Sequence, residues 1–403
     1  MDWMIYAALF LIFAELPALL LAVSNFLFSL KKSGRKRHLY HPRTALIIPC
    51  KWLDENFERN ISSFYMQDYD DYLLWFVVES RDDPVYEPLC KMRDRLLKQT
   101  KAKDVKVLIA GSGRACGQKI HNLLCAYQQI PADTEALAFA DSDIKVKPDW
   151  LACLVHRLRK EKIGATTGYR WFVPTSNNFA TLALVATNAK ITQLLGNTPF
   201  NHAWGGSMAL KVETFRRLGI DKIWQSAVSD DLSLSIAVKS ECKKVEFVPD
   251  CIVPSYESTT WPKFFEFARR QFIITKVAAP GTWLLGLLSN LCSVIGLWGG
   301  LIMAVFAISN HYHVLFFTFV PVFFFIAQLL KAVLRQKIAA KVLADDWPKL
   351  KVSAVADITL FWLWSLLSLS LLLSSAFGRT ITWRGIRYKL IGPTQTIVLD
   401  LRR

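Results

Sequence analysis

Acidic residues are the scarce charge in this chain of 403 residues: 33 Asp and Glu stand against 49 Lys and Arg, a formal net charge of +16. Such an excess attracts anionic lipid headgroups or a polyanionic substrate. The basic residues are not gathered into one arm, which argues against nucleic acid as the partner. No Cys-x-x-Cys pair occurs among the eight cysteines, and most of them sit beside apolar neighbours. A zinc site or a disulfide frame is thereby disfavoured, and buried free thiols in a reducing compartment fit better. A basic n-region and a small-residue cleavage site are also missing at the N-terminus, so the first apolar run is not a signal peptide. What is abundant is apolar surface: 52% hydrophobic residues, 26 Phe and 14 Trp, with a mean hydropathy of +0.25. With so high a net charge, these residues must be segregated into membrane spans.

Residues 4–30 form the first such run, and the spacing predicts an uncleaved anchor over 1–31 with its N-terminus outside. Glu15 interrupts it, and a charge at that depth costs ~3 kcal/mol, so Glu15 should face another helix. Lys31, Lys32, Arg35, Lys36, Arg37 and His38 follow and belong on the cytosolic side. After Pro280, Trp283–Ser309 and Val314–Leu330 read as spans joined by Asn310–His313. Lys331–Lys351 is basic and amphipathic, hence cytosolic or interfacial, and Val352–Phe377 is a third apolar run carrying Asp357. Arg379, Arg384, Arg387 and Lys389 then also require the cytosol. Four full crossings would place them outside, so either the positive-inside rule fails here or one segment is re-entrant. Trp261–Lys276, aromatic and basic, reads as a helix lying on the bilayer surface.

Between these regions the character changes to a soluble α/β domain over 42–255. Short apolar runs at Thr44–Ile48, Leu73–Val78, Val105–Ile109 and Ala136–Ala140 alternate with amphipathic segments. Ile120, Leu123, Leu124 and Tyr127 make one helix face, and Pro148 opens another helix with Leu151, Leu154, Val155 and Leu158 on its stripe. That alternation predicts a parallel, Rossmann-like sheet whose ligands collect at the strands' carboxyl ends. The loops there are polar: Pro49-Cys-Lys51, Glu79-Ser-Arg-Asp82-Asp83, and Gly111 to Lys119. The last of these fails the Gly-x-x-x-x-Gly-Lys-Ser/Thr spacing, yet a glycine turn opening a helix at Lys119 can still hold a diphosphate. After the fourth strand comes Asp141-Ser-Asp143, whose carboxylates at i and i+2 can aim at one hard divalent ion. Asn201–Ala209 is a glycine-rich turn before a helix, where Trp204 and Gly205 would let backbone approach a sugar. Ser229 reads as an N-cap with Asp230 and Asp231 in the first turn.

Assembled in this order, the motifs resemble membrane-bound family-2-type glycosyltransferases, most closely the ceramide glucosyltransferase-like branch. The resemblance runs from the N-terminal anchor to Tyr388 and implies a GT-A-type catalytic domain with transmembrane helices at both ends. It implies a nucleotide-sugar donor bound by the first loops, with Pro49, Lys51, Glu79 and Asp82 on the nucleotide and Lys119 and Asn122 near the phosphates. Asp141 and Asp143 match the family's metal motif for Mg2+ or Mn2+, with Asp143 on the ion and Asp141 placing donor and metal. Asp231, beside Asp230, matches the base. Two departures stand out. Ser80 occupies a position where the family often has Asp, and the Gln/Arg-x-x-Arg-Trp motif is degraded to Arg269-Arg270-Gln-Phe-Ile-Ile274. Its missing Arg-Trp pair argues for transfer of a single sugar to a lipid, while Arg269 or Arg270 could still reach the diphosphate. The expectation is therefore an integral membrane enzyme of a bacterial inner membrane or a eukaryotic endomembrane, with its catalytic domain in the cytosol. An interfacial segment over 256–282, a membrane region over 283–390 and a tail over 391–403 complete the layout. A processive polysaccharide synthase and a non-catalytic, sugar-binding membrane protein are the competing readings.

Overall fold

The computed structural model describes residues 2–34 and 40–401, so Arg35, Lys36, Arg37 and His38 lie outside the described residues. The chain forms two compact units. The first comprises Met1–Lys31, Phe172–Gly196 and Glu257–Gly378; the second comprises Lys32–Trp171, Asn197–Tyr256 and Arg379–Arg403.

The second unit is built on a sheet of β1 (Thr44–Pro49), β2 (Tyr72–Val78), β3 (Asp104–Ile109), β4 (Ala136–Ala140), β5 (Ile163–Pro174), β6 (Ser207–Lys211) and β7 (Lys244–Glu257). Their order is β3-β2-β1-β4-β6-β5-β7. Strands β1 to β4 pair in parallel, as the alternation predicts. The sheet is nevertheless mixed, because β6 enters antiparallel between β4 and β5. The central strands are apolar throughout because both faces are covered. In β1, Leu46 and Ile48 join one core with Phe76, Ala138 and Ala140, while Ala45 and Ile47 join the other with Trp75, Leu137 and Phe139. Helix Gln118–Tyr127 buries Ile120, Leu123 and Leu124 on the second of these cores. The helix after Pro148 begins only at Trp150, and Leu158 falls in the short 3-10 turn that ends it. The turn over 201–206 runs into β6 rather than into a helix; the helix, Val212–Arg217, follows the strand.

Residues 380–390, read from sequence as the end of the membrane region, are strands of this same unit. β8 (Thr380–Trp383), β9 (Ile386–Gly392) and β10 (Gln395–Leu401) form an antiparallel sheet. Two of the four basic residues that conflicted with the positive-inside rule are alternating exposed positions of this sheet: Arg387 and Lys389 are exposed between buried Ile386, Tyr388 and Leu390.

In the first unit, among the described residues, three helices are long and apolar enough to cross a membrane: Trp3–Lys32, Pro280–Ser309 and Val314–Val342. Glu15 does face other helices: it is fully buried, accepts a hydrogen bond from Ser293 Oγ at 2.8 Å and pairs with Lys331. The basic segment from Lys331, read as cytosolic or interfacial, continues the helix to Val342, with Arg335 buried against Asp357. The third apolar run breaks at Leu360, where the helices Ala344–Thr359 and Phe361–Ser375 meet at 83°. It is therefore a broken span or a re-entrant loop, not one straight crossing. Helix Trp261–Ala278 buries Phe264, Ala268 and Ile273 while Trp261 and Phe265 are exposed, an amphipathic pattern.

Candidate functional site

The carboxyl end of β4 is where the charges gather. Asp141, the first residue beyond the strand, has Oδ1 2.8 Å from Lys119 Nζ and Oδ2 3.1 Å from Arg170 Nη2. Lys119 is the second residue of helix Gln118–Tyr127, whose chain enters through Gly117, and its Nζ also lies 3.1 Å from Asp230 Oδ2. Arg170 comes from the middle of β5. Its guanidinium stands 3.7 Å from Asp143 Oδ2 and 4.9 Å from the Trp204 ring, which Tyr169 also packs against. The motifs after β3 and β4 and before helix Asp230–Ser240 thus converge, although they are far apart in the chain.

Ser229 caps that last helix by accepting from the Leu232 amide at 3.3 Å. The Ser229 hydroxyl and the Leu232 amide both donate to Asp231 Oδ1, and the Gly205 amide donates to Oδ2 at 3.1 Å. The Asp231 side chain is therefore held at both oxygens while remaining only half-buried. Glycine is required twice beside it. A Cβ at Gly205 would stand 2.2 Å from Asp230 Oδ2, and one at Gly206 would stand 2.6 Å from Asp141 Oδ2. Burial pushes the Asp230 carboxyl up to about 6, against the pull of Lys119. Burial also disfavours a charged Lys119, but Asp141, Asp230 and Asp231 outweigh it and raise the ammonium above its ordinary value. For Asp141 the order of effects is similar: burial raises it, and Lys119 with Arg170 more than offsets this, leaving it below the usual carboxylate range.

Other expected residues take more varied positions. Pro49 ends β1, and Lys51 beyond it pairs with Glu79 at 2.9 Å; Glu79 also accepts from Ser112 Oγ at 3.1 Å. Asp82 is exposed, whereas Asp83 orders the loop by accepting from the Trp52 and Val85 amides at 3.2 and 3.1 Å. Asn122 is turned inward: it accepts from Gln118 Nε2 and donates to the Val77 carbonyl, so it ties the helix to β2 rather than facing the cluster. Arg269 belongs to the first unit, where it donates to the Phe377 and Ser374 carbonyls at the end of helix Phe361–Ser375, and Arg270 stands over Phe267. Arg170, Asp83 and Arg384, which donates to the Lys51 carbonyl at 2.8 Å, were not among the expected residues. An arginine inside the otherwise uncharged β5 was the available signal for Arg170.

Residues 10–395 match the profile of glycosyl transferase family 21. The chain belongs to that family. The motif-based resemblance to the ceramide glucosyltransferase-like branch is thereby borne out, and the α/β unit is its GT-A-type domain. Two solved structures are similar at low identity. The mannosyltransferase PcManGT from Pyrobaculum calidifontis, in complex with GDP-Man and Mn2+, is 15% identical with a TM-score of 0.45, covering 91% of this chain and 96% of its own. GalNAc-T7 with UDP, GalNAc and Mn2+ is 14% identical with a TM-score of 0.38, covering 59% of this chain and 51% of its own.

The side chains of this glycosyltransferase fit a divalent ion in one respect. Asp143 Oδ1 is buried with no hydrogen-bond donor, which suits a cation ligand. Both oxygens of Asp141 already face cations. Among the described residues no group of three or more His, Cys, Asp or Glu side chains is gathered around one point. The protein thus offers part of a coordination shell, of the kind a hard ion completes with substrate oxygens and water. Four carboxylates around two cations also leave negative charge in excess, which a divalent ion would offset before an anionic substrate could enter.

Proposed function

We propose that this family 21 enzyme transfers one sugar from a nucleotide-diphosphate donor, UDP-hexose by the motif resemblance, to a lipid hydroxyl, with inversion, at the cytosolic face of a membrane. The observation that carries this reading is the convergence of Asp141, Asp143, Lys119 and Asp231 at the carboxyl end of β4. Lys119 places an ammonium where the departing diphosphate gains charge, so its attraction strengthens in the transition state. Asp141 and Asp230 hold that ammonium in position. A divalent ion held by Asp143 with Asp141 would supply further positive charge to the diphosphate when bound.

Asp231 is assigned as the base. An acceptor hydroxyl needs a carboxylate within ~3 Å to take its proton. Asp231 is half-buried and held at both oxygens, whereas Asp230 is only 2% exposed and faces Lys119, out of reach of an acceptor. One base and one displacement invert the anomeric centre, so an α-linked donor gives a β-linked product. Trp204, packed against Arg170 and Tyr169, offers an aromatic face for a sugar ring or acceptor. Support for a lipid acceptor comes from the membrane unit in the same chain and its amphipathic helix Trp261–Ala278. Free cysteines throughout agree with a cytosolic catalytic unit.

The test is to incubate the purified full chain with a panel of nucleotide sugars and a total lipid extract, and to identify products by mass spectrometry. A lipid carrying one added sugar is expected. A ladder of sugar lengths would assign the chain to the processive synthases, and no product from any donor would leave only a sugar-binding role.

A further inference from the structure

The turn joining β8 to β9 consists of Arg384 and Gly385, both in the left-handed region at φ +48° and +81°. Two-residue hairpins of this kind favour Asn-Gly or Asp-Gly. Arginine has no local reason to sit there, because a Cβ disfavours the left-handed conformation. Strain of that kind often marks a residue whose side chain has a task.

The hairpin is fixed against the donor side of the catalytic unit at three places. The Tyr388 hydroxyl of β9 is buried beside the Gln118 backbone, at the start of the helix bearing Lys119. Ser226 Oγ donates to the Thr394 carbonyl at 2.8 Å, in the turn between β9 and β10. Arg384 Nη1 donates to the Lys51 carbonyl at 2.8 Å, in the loop that follows β1. These contacts bring the guanidinium close enough for its charge to act on Asp141, Cys50 and Asp54.

Three other cations of this region are paired: Lys51 with Glu79, Lys119 with Asp141 and Asp230, and Arg170 with Asp141 and Asp143. Arg384 differs. Its side chain is exposed, its hydrogen bond goes to a backbone carbonyl, and among the described residues no salt bridge within 4 Å holds it. A guanidinium carries five N–H donors in a planar fork suited to phosphate oxygens, and this contact uses one of them.

We propose that Arg384 is a phosphate-binding residue for the donor, delivered to the site by the C-terminal hairpin; the assignment rests on the nucleotide-sugar reading above. The experiment compares affinities of the purified full chain for UDP, GDP, uridine and guanosine at fixed Mn2+. Wild type is set against Arg384→Asn, in which asparagine tolerates the left-handed turn, and Arg384→Lys. For whichever diphosphate wild type binds, Arg384→Asn should weaken it by about 10-fold or more while leaving the matching nucleoside unchanged, and Arg384→Lys should recover part of the loss. Equal losses for diphosphate and nucleoside would mean that Arg384 only positions the Lys51 loop, which overturns the proposal, as would unchanged affinity for both. A wild type that binds neither diphosphate overturns the nucleotide-sugar reading itself, a result distinct from tight binding that ignores Arg384.

Discussion

A methyl group on Gly205 would fall 2.2 Å from Oδ2 of Asp230 and 2.7 Å from Lys119 Nζ. Backbone and charged pair are in such close approach that no side chain fits between them. Gly205→Ala must therefore push the Lys119–Asp230 pair aside or bend the turn, an overpacking worth about 1–3 kcal/mol. Both a lower Tm and a loss of transfer are expected. Gly392→Ala, where a Cβ meets nothing within 4 Å, is the control and should change neither. An active, equally stable Gly205→Ala enzyme would show that the turn is looser than drawn.

Asp231→Asn tests the proposed proton acceptor. Asparagine keeps an oxygen for the Ser229 and Leu232 donors and gives up the contact with the Gly205 amide. Loss of a general base lowers turnover by roughly 10²–10⁴. Nucleotide affinity, measured by calorimetry on the same preparation, should stay within about threefold. If donor binding vanishes in a folded protein, Asp231 belongs to the donor site and the base must be sought elsewhere.

The site residues also differ in how far they could be read from the chain alone. Asp141, Asp143, Lys119 and Asp231 announce themselves locally, because each closes an apolar strand or opens a helix whose pattern is written within a few neighbours. Arg170 does not, because its approach to Asp141 requires β6 to insert antiparallel between β4 and β5, a topology that alternation of strands and helices does not encode. Arg384 lies 333 positions from the Lys51 carbonyl it bonds, and its strand pattern looked like the basic flank of a span. Glu15 needed a helix partner on energetic grounds, but periodicity along one helix cannot say that the partner is Lys331.

Asp143 bears on the metal. Its Oδ1 is buried without a donor, so removing it takes away the proposed cation ligand and no protein hydrogen bond. Asp143→Ala should abolish the enhancement of nucleotide binding by Mn2+ or Mg2+, while metal-free binding should be no weaker than in wild type, because a negative charge is removed beside Arg170. Metal titrations of both proteins decide this. Turnover that survives exhaustive chelation would remove the ion from the reaction.

Asp230 introduces a pH dependence whose sign can be worked out. Burial raises its carboxyl to about 6, so it is neutral below that pH and anionic above. In the metal-free protein the site is therefore less negative at pH 5.5 than at pH 7.5, and UDP or GDP should bind more tightly at the lower pH. A carboxyl raised on folding contributes stability that is present below its unfolded value near 3.8 and is lost as the pH rises through about 6. The Tm of Asp230→Asn relative to wild type should thus increase between pH 5 and pH 7.5, and its metal-free nucleotide affinity should keep only the pH dependence of the ligand's own terminal phosphate, which titrates at ~6. A parallel pH profile in wild type and variant would mean that another group titrates.

In the membrane unit, Arg335 donates twice to Asp357, from Nε and Nη2 at 2.6 Å each, and Gln336 adds a third donor to the same carboxylate at 2.7 Å. The two side chains are 4% and 0% exposed, so neither charge has water to fall back on. Asp357→Ala would strand a buried guanidinium and should destabilise the protein by about 3–5 kcal/mol. Replacing both partners, Arg335→Met with Asp357→Leu, removes the charge along with its counterion and should restore most of that loss. Thermal unfolding in detergent measures the stability, and transfer assays on the same samples ask whether the pair does more than join two helices. A double variant as stable as wild type but unable to act on lipid would assign the pair a functional role; equal stability with normal transfer makes it a helix–helix tie. A single Asp357→Ala variant as stable as wild type would show that the guanidinium reaches water or lipid phosphate, contrary to the burial found here.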